Sequence, residues 1–125
     1  MPRAAITTDK IAKPVGPFSS AIRAGDTLYL SGQVAQDPAT GKLISGDVAA
    51  QTERIFRNIE ATLQAATLSL EHVIKVTVYL TDMKDYAAMN EVFSRQFKAP
   101  PPARTTVAVV ALPLGGMVEL EVIAQ

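Results

Sequence analysis

The feature that most constrains this sequence is an amphipathic helix followed closely by an alternating strand. Within residues 48–68, apolar side chains recur at helical spacing and charged side chains occupy the other side. Asp47 stands where its carboxylate can accept hydrogen bonds from the first turn. In residues 73–81 apolar and polar residues alternate, which is the period of a strand with two unlike faces. We therefore expect the helix to lie on a sheet that contains this strand.

The remaining patterns extend this arrangement. Residues 18–23 and 27–31 read as strands around the turn at Gly25, and Asp82 can begin a second helix that runs to about Phe97. Three prolines at 100–102 end that helix, and residues 103–112 and 117–124 read as strands joined through residues 113–116. The opening residues 1–13 read as irregular. The order predicts an α+β sandwich with two helices on one face of a mostly antiparallel sheet.

The strand at residues 107–112 is apolar on both of its faces. A strand with one wet face should alternate, so this pattern predicts that both faces are covered. Two helices can cover one side of the sheet only. We therefore expect another subunit to cover the other side.

Composition excludes several classes of function. The chain has 125 residues, which is the usual size of one domain, and we treat residues 1–125 as a single domain. Twelve basic residues balance twelve acidic ones, which argues against a surface selected for nucleic acid or for anionic membranes. Cysteine is absent, so disulfides, thiol catalysis and thiolate metal sites are excluded.

No segment of the sequence reads as a secretion signal or a membrane span. The longest mostly apolar stretch, residues 105–118, contains Pro113 and two glycines and is shorter than the ~20 residues that a membrane helix needs. We therefore expect a soluble, cytoplasmic protein.

Arg104 is the first candidate for chemistry. It opens the strand that follows the prolines, where a guanidinium can hold a carboxylate through two parallel hydrogen bonds. An ordinary surface arginine is the alternative reading.

Glu119 and Glu121 form the second candidate. Two residues apart on one strand, they point to the same face, where one carboxylate could be perturbed by the other and do acid–base work. A solvated strand face is the alternative, and whether either residue lies beside Arg104 depends on the hairpin register.

Other catalytic arrangements are not indicated. The single histidine, His72, stands at an element boundary and reads as a cap or surface residue. The glycines follow neither dinucleotide-binding nor phosphate-loop spacing, and no serine triad or metal-ligand set is visible. The sequence therefore calls for no cofactor and no metal.

Taken together, the residues resemble the RidA (YjgF) family of reactive-intermediate deaminases from about Pro14 to Ala124. The motifs that carry the resemblance lie in the same order and at the same spacings along the chain. They are Gly16-Pro17-Phe18, Ser31-Gly32-Gln33, Thr40-Gly41, Gln51-Thr52, Asn58, Thr81-Asp82-Met83, Asn90, Pro102-Ala103-Arg104, Leu112-Pro113 and Val118-Glu119-Leu120-Glu121.

The resemblance implies a chorismate-mutase-like fold and a homotrimer whose sheets form a central barrel, with a site in each cleft between subunits. It implies hydrolysis of 2-imino and 2-enamino acids, such as 2-aminoacrylate and 2-iminobutanoate, to 2-oxo acids and ammonia. Arg104 matches the family's substrate-carboxylate arginine, and Glu119 matches the residue that orients or activates water. Ser31, Gly32 and Asn90 match positions that line the pocket.

Two residues depart from the family pattern. Phe18 stands where tyrosine is common, so a hydroxyl that could bond substrate or water is missing. Thr106 stands where cysteine is frequent. Both positions belong to the substrate-binding set that the resemblance implies. We expect a working deaminase, slower or more tolerant of apolar substrate side chains than its tyrosine-bearing relatives.

Three alternatives stay open at the level of sequence. The same cleft could sense a small carboxylate without catalysis, or a pathway-specific deaminase could act on a larger aminated acid. Ribonuclease or translation inhibition, ascribed to some relatives, is disfavoured by the neutral charge.

Overall fold

Six strands and two α-helices form the protein, as seen in a computed structural model that describes residues 2–125. In chain order they are β1 (Ala4–Ile6), β2 (Ala21–Ala24), β3 (Thr27–Gln33), α1 (Val48–Ala65), β4 (Val73–Leu80), α2 (Tyr86–Ser94), β5 (Ala103–Ala108) and β6 (Val118–Ala124). The strands make one sheet in the order β1-β2-β3-β6-β4-β5, antiparallel except for the parallel pair β4–β5. The predicted α+β class is confirmed.

Helix α1 begins as its sequence predicts. The Asp47 carboxylate accepts a hydrogen bond from the backbone of Ala50, at 2.9 Å, and so satisfies one of the free amides of the first turn. The helix ends at Ala65, three residues before the predicted end, because Thr67 adopts a left-handed backbone with φ 62°.

The core lies between the helices and one face of the sheet. Val76, Val78 and Leu80 of β4 are fully buried there beside alternate residues of β6. Helix α2 packs on α1 through an aromatic cluster, in which the rings of Phe56 and Phe93 meet edge to face with centroids 5.7 Å apart. Each large apolar side chain buried in this way stabilises the fold by roughly 1.5–3 kcal/mol.

Helix α2 is shorter than predicted. It ends at Ser94 rather than near Phe97, because the side-chain amide of Gln96 donates to the Val92 carbonyl in competition with a further helical turn. Phe97 still joins the aromatic cluster, with its ring centroid 5.7 Å from that of Phe56.

The predicted hairpin between the last two strands is wrong. Strand β4 lies between β5 and β6, so these two strands never pair. Strand β5 also ends at Ala108 instead of Leu112, because its partner β4 ends at Leu80 and the last bond runs from the Val109 amide to the Leu80 carbonyl. The residues that follow cross over the end of β4 before β6 begins.

Three further expectations need correction. The opening segment is not wholly irregular, because Ala4–Ile6 forms edge strand β1 on β2; three residues are too few to show a period in the sequence. Strand β2 begins at Ala21, later than predicted. The alternation of β4 also breaks at Ile74, which is 47% exposed because a bulge shifts the pairing with β6 there.

Within residues 2–125, both helices lie on one face of the sheet and none covers the second face. It presents Tyr29, Thr77, Tyr79, Glu121 and Ile123, a mixture of apolar and polar side chains. Beside them Val107 on the edge strand is 38% exposed. We call this surface the open face. No helix within residues 2–125 has the length and apolar character to cross a membrane.

Candidate active site

Arg104 lies at the start of the edge strand β5 and is held by two polar side chains of α2. Its Nη1 donates to Asn90 Oδ1 and its Nη2 donates to Tyr86 Oη, each at 2.7 Å. Because Arg104 pairs with the buried Val76 in the parallel ladder, its side chain points toward the helices rather than to the open face. The arginine is thus fixed at the rim of the helix layer.

Aromatic rings complete this arrangement. The Arg104 guanidinium carbon lies 4.7 Å from the ring centroid of Phe93 and 5.4 Å from that of Tyr86, within the range of cation–π attraction. Arginine has five N–H donors, and only two of them are used by Asn90 and Tyr86. The remaining donors suffice for a forked contact with a carboxylate. Sequence reasoning missed Tyr86 and Phe93, although their helical spacing from Asn90 could have indicated them.

Thr106 lies two residues after Arg104 and faces the same side of the sheet. Its hydroxyl oxygen is buried and has no hydrogen-bond partner among residues 2–125. A buried polar group without a partner is costly, so this hydroxyl is the one buried polar side-chain atom of β5 whose hydrogen bonding residues 2–125 leave unexplained.

Glu119 lies on the other face. It pairs with Tyr79 of β4, and its carboxylate packs against the backbone of Gly32. Strand β3 bulges at this point, because Leu30 pairs with Val122 and Gln33 with Leu120. Two residues, Ser31 and Gly32, therefore stand opposite one residue of β6. The bulge and the missing side chain of Gly32 make the space that the Glu119 carboxylate occupies.

The surroundings of Glu119 change its acid–base properties. Burial raises the pKa of Glu119 above its usual range, and the neighbouring charge of Glu121 raises it further. Glu121 in turn accepts a hydrogen bond from the Tyr79 hydroxyl at 2.7 Å. That bond is the main reason that the pKa of Tyr79 is raised. Glu119 and Glu121 therefore lie on one strand face, as their spacing predicts, but Glu119 is partly buried whereas Glu121 is exposed.

Ser31 and Phe18 accompany the bulge. The Ser31 hydroxyl donates to the Ser19 carbonyl at 2.6 Å, which ties the strand to the segment that carries Phe18. The Phe18 ring is half exposed and lines a small cleft with Ser31, Gly32 and Val15. Four residues that the family resemblance assigns to the site thus lie together on one side of the molecule: Phe18, Ser31, Gly32 and Glu119.

Two buried polar residues of α1 support these groups from behind. Gln51 Oε1 accepts a hydrogen bond from the Met117 backbone at 3.0 Å, at the start of the strand that carries Glu119. Asn58 Nδ2 donates to the Gln36 carbonyl at 2.9 Å, just beyond strand β3. We infer that these motif residues hold the backbone of the site rather than contact a ligand.

His72 acts as a cap. Its Nδ1 accepts a hydrogen bond from the Ser69 amide at 3.0 Å, in the short 3-10 turn before β4. Across residues 2–125, no three His, Asp or Glu side chains come together in a way that could hold a metal ion.

The two groups do not meet within one chain. The side chains of Arg104 and Thr106 point from β5 toward the helix layer, which includes Asn90. Glu119 lies on the open face, and strand β4 separates β5 from β6. We call Arg104 with Asn90, Tyr86, Phe93 and Thr106 the arginine half-site, and Glu119 with Ser31, Gly32 and Phe18 the glutamate half-site. One chain therefore presents an oriented guanidinium, that of Arg104, on one surface and a partly buried carboxylate, that of Glu119, on the other.

These features define a class: a small α+β protein that presents an oriented arginine and a partly buried carboxylate to small molecules. The family model described as endoribonuclease L-PSP matches residues 8–125. The chain therefore belongs to this family, which is the family of RidA (YjgF) proteins.

Individual relatives agree over nearly the whole length. A RutC family protein of Pyrococcus horikoshii is 49% identical, and the match covers 95% of this chain and 94% of the relative. A 2-iminobutanoate/2-iminopropanoate deaminase of Capra hircus is 41% identical over 98% of this chain and 89% of the relative. The crystal structure of RidA from Psychrobacter sp. PAMC 21119 superposes with a TM-score of 0.93 at 47% identity, covering 97% of this chain and 98% of the other.

Proposed function

We propose that this protein hydrolyses 2-imino acids and their 2-enamino tautomers, including 2-iminopropanoate, 2-iminobutanoate and 2-aminoacrylate, to 2-oxo acids and ammonia. The observation that carries the proposal is the Arg104 guanidinium, oriented by Asn90, Tyr86 and Phe93 with N–H donors to spare. The relative named as a deaminase supports the same reaction at 41% identity.

The arginine supplies binding and orientation. A substrate carboxylate that lies against the free donors of Arg104 forms two parallel charge-assisted hydrogen bonds. Because the guanidinium is already held by three neighbours, little conformational freedom is lost when the substrate binds. The carbon–nitrogen double bond, next to the carboxylate, is then fixed relative to the protein.

The carboxylate of Glu119 handles the proton. An iminium carbon is already electrophilic, so the reaction requires positioning and a base rather than a covalent nucleophile. A water molecule bonds to that carbon while Glu119 takes its proton, which gives a carbinolamine. Glu119 then returns its proton to the carbinolamine nitrogen. As the carbon–nitrogen bond breaks and ammonia leaves, the hydroxyl group gives up its own proton to Glu119 or solvent and becomes the carbonyl of the 2-oxo acid. The raised pKa of Glu119 brings this base closer to neutral pH.

The opposite placement of the two half-sites supports a site shared between subunits. We propose a homotrimer in which Arg104 of one subunit and Glu119 of its neighbour face the same cleft. Apolar side chains exposed beside the open face and beyond β5 agree with this arrangement, since Val107 is 38% exposed and Val110 is fully exposed in the isolated chain. Ser31, Gly32 and Phe18 then line the cleft from the glutamate side, and Asn90 and Thr106 from the arginine side.

Substitution of Arg104 tests the assignment. Arg104→Lys keeps the charge but cannot form the fork, so we expect kcat/KM for 2-iminobutanoate to fall at least about tenfold, and Arg104→Ala to fall further. If both variants match the parent, the proposed role of Arg104 is wrong. If the parent binds 2-oxo acids but hydrolyses no imine, the protein is a non-catalytic carboxylate-binding module instead.

Mixing two inactive variants tests the shared site. Chains with Arg104→Ala and chains with Glu119→Gln are refolded together in equal amounts, so an interface receives an intact arginine and an intact glutamate about one time in four. We expect activity to return to roughly a quarter of the parent's per subunit. Each variant refolded alone is the control. No recovery in a mixed assembly would place both residues in one subunit and contradict the arrangement.

A further inference from the structure

Tyr86 is the least explained member of the arginine half-site. It is the first residue of α2, and its side chain is 39% exposed. Its hydroxyl oxygen lies 2.7 Å from Arg104 Nη2. The ring therefore lies beside the guanidinium, with the hydroxyl at the edge where a carboxylate would bind.

The direction of this hydrogen bond leaves a proton unused. A guanidinium can only donate, so the Tyr86 oxygen must be the acceptor. The hydroxyl hydrogen therefore cannot point at the cation, and the contact recorded for this hydroxyl within residues 2–125 is the bond that it accepts from Arg104. A phenol polarised by a neighbouring cation is a good donor to an anion. The group is thus suited to an anion bound at the same arginine.

We propose that Tyr86 is a further substrate-binding residue, whose hydroxyl donates a hydrogen bond to the carboxylate that Arg104 holds. The clamp then consists of two N–H donors of Arg104 and one O–H donor of Tyr86, a set that matches a 2-oxo or 2-imino carboxylate and not a neutral carbonyl compound. The inference rests on the proposed function for the identity of the ligand, but the binding itself can be measured without turnover.

Asn90 differs from Tyr86 in this respect. The Asn90 Oδ1 accepts a hydrogen bond from Arg104 Nη1 at 2.7 Å, so this oxygen orients the guanidinium. Truncation of the Asn90 side chain would remove this acceptor and the amide N–H donors together. Tyr86 offers a cleaner test, because Tyr86→Phe removes only the hydroxyl and keeps the ring beside the cation.

The first experiment compares Tyr86→Phe with the parent by calorimetric titration of pyruvate and by imine hydrolysis. A hydrogen bond to a charged group predicts that the dissociation constant of pyruvate and the KM of the imino acid rise at least about tenfold, while kcat stays within about twofold. Tyr29→Phe removes a hydroxyl from the open face and is the matched control. Unchanged pyruvate binding in Tyr86→Phe overturns the proposal.

A second experiment separates donation to the ligand from mere support of the arginine. Replacement of Tyr86 by 3-fluorotyrosine makes the hydroxyl a stronger donor and a weaker acceptor. Measured at mildly acidic pH, pyruvate should bind more tightly if Tyr86 donates to it. Equal or weaker binding means that Tyr86 only positions Arg104 and contradicts the proposal.

The two proposals fail in different ways. If Arg104→Ala abolishes hydrolysis while Tyr86→Phe binds pyruvate like the parent, the inference about Tyr86 is wrong and the proposed function stands. If the parent hydrolyses no imine but binds pyruvate, and Tyr86→Phe weakens that binding, the proposed function is wrong and the clamp stands.

Discussion

Gly32→Ala should abolish most of the proposed imine hydrolysis without unfolding the protein. A Cβ atom built on Gly32 would lie 2.5 Å from Glu119 Oε2 and 2.8 Å from its Cδ. The backbone of Gly32 lies outside the left-handed region, so alanine can adopt it and the conflict is one of space only. The atoms that the new Cβ would meet belong to the end of the flexible Glu119 side chain, which can move without a change in the backbone.

The magnitude follows from this geometry. Carbon and oxygen atoms in contact are about 3.4 Å apart, so Oε2 must withdraw by roughly 1 Å. Glu119 is partly exposed and can turn toward solvent, and we expect the free energy of unfolding to change by less than about 1 kcal/mol. A displacement of about 1 Å at a reacting group can cost 10²-fold in rate, so kcat should fall about 100-fold.

The assay measures 2-oxo acid formation from an imine generated in place by an amino acid oxidase, and thermal unfolding is recorded beside it. Gly116→Ala is the matched control, because its Cβ would meet Val34 at 3.2 Å, far less tightly, and no catalytic carboxylate is near. Glu119→Gln sets the lower limit of activity. Parental turnover in a folded Gly32→Ala protein, together with an inactive Glu119→Gln, would refute the view that Gly32 makes room for the base.

Two further predictions concern the same half-site. Since a raised pKa keeps Glu119 protonated up to a higher pH, the acid limb of kcat/KM should lie above that of an ordinary glutamate. Glu121→Gln removes the neighbouring charge, which is the smaller of the two causes of the raised pKa, and should move the acid limb part of the way to lower pH. If the acid limb of the pH-rate profile does not move, Glu119 is not the titrating base. Phe18→Tyr places a hydroxyl in the cleft beside Ser31 and should raise turnover of 2-aminoacrylate, so an equal or lower rate argues against a role for that hydroxyl.

Sequence reasoning succeeded where a residue's role depends on local periodicity. The spacing within α1 and the Asp47 cap predicted that helix to within three residues at its end. Glu119 and Glu121 were assigned to one strand face because strand side chains alternate. These inferences need only the chain's immediate neighbours.

Sequence reasoning failed where the answer depends on which distant segments pair. Adjacency in the chain favoured a hairpin of the last two strands, yet β4 lies between them. The bulge at Ser31 and Gly32 leaves no pattern of its own, because it consists of one extra residue opposite Glu121. The contact of Tyr86 with Arg104 likewise joins α2 to β5: helical spacing could place Tyr86 beside Asn90, but only the packing of α2 on β5 brings it to Arg104.

The separation of the half-sites follows from the sheet itself. Arg104 must face the helix layer to reach Asn90 and Phe93, and only an edge strand allows a guanidinium there to remain in contact with solvent. Glu119 must face away from the helices, because a charge in the apolar core beneath α1 would be too costly. Alternation then sends the cation and the base to opposite faces, and a single copy of this fold cannot bring them to one substrate. In the proposed homotrimer, hydrolysis that uses both residues would need the assembled cleft, so we expect dissociation of the subunits to abolish activity.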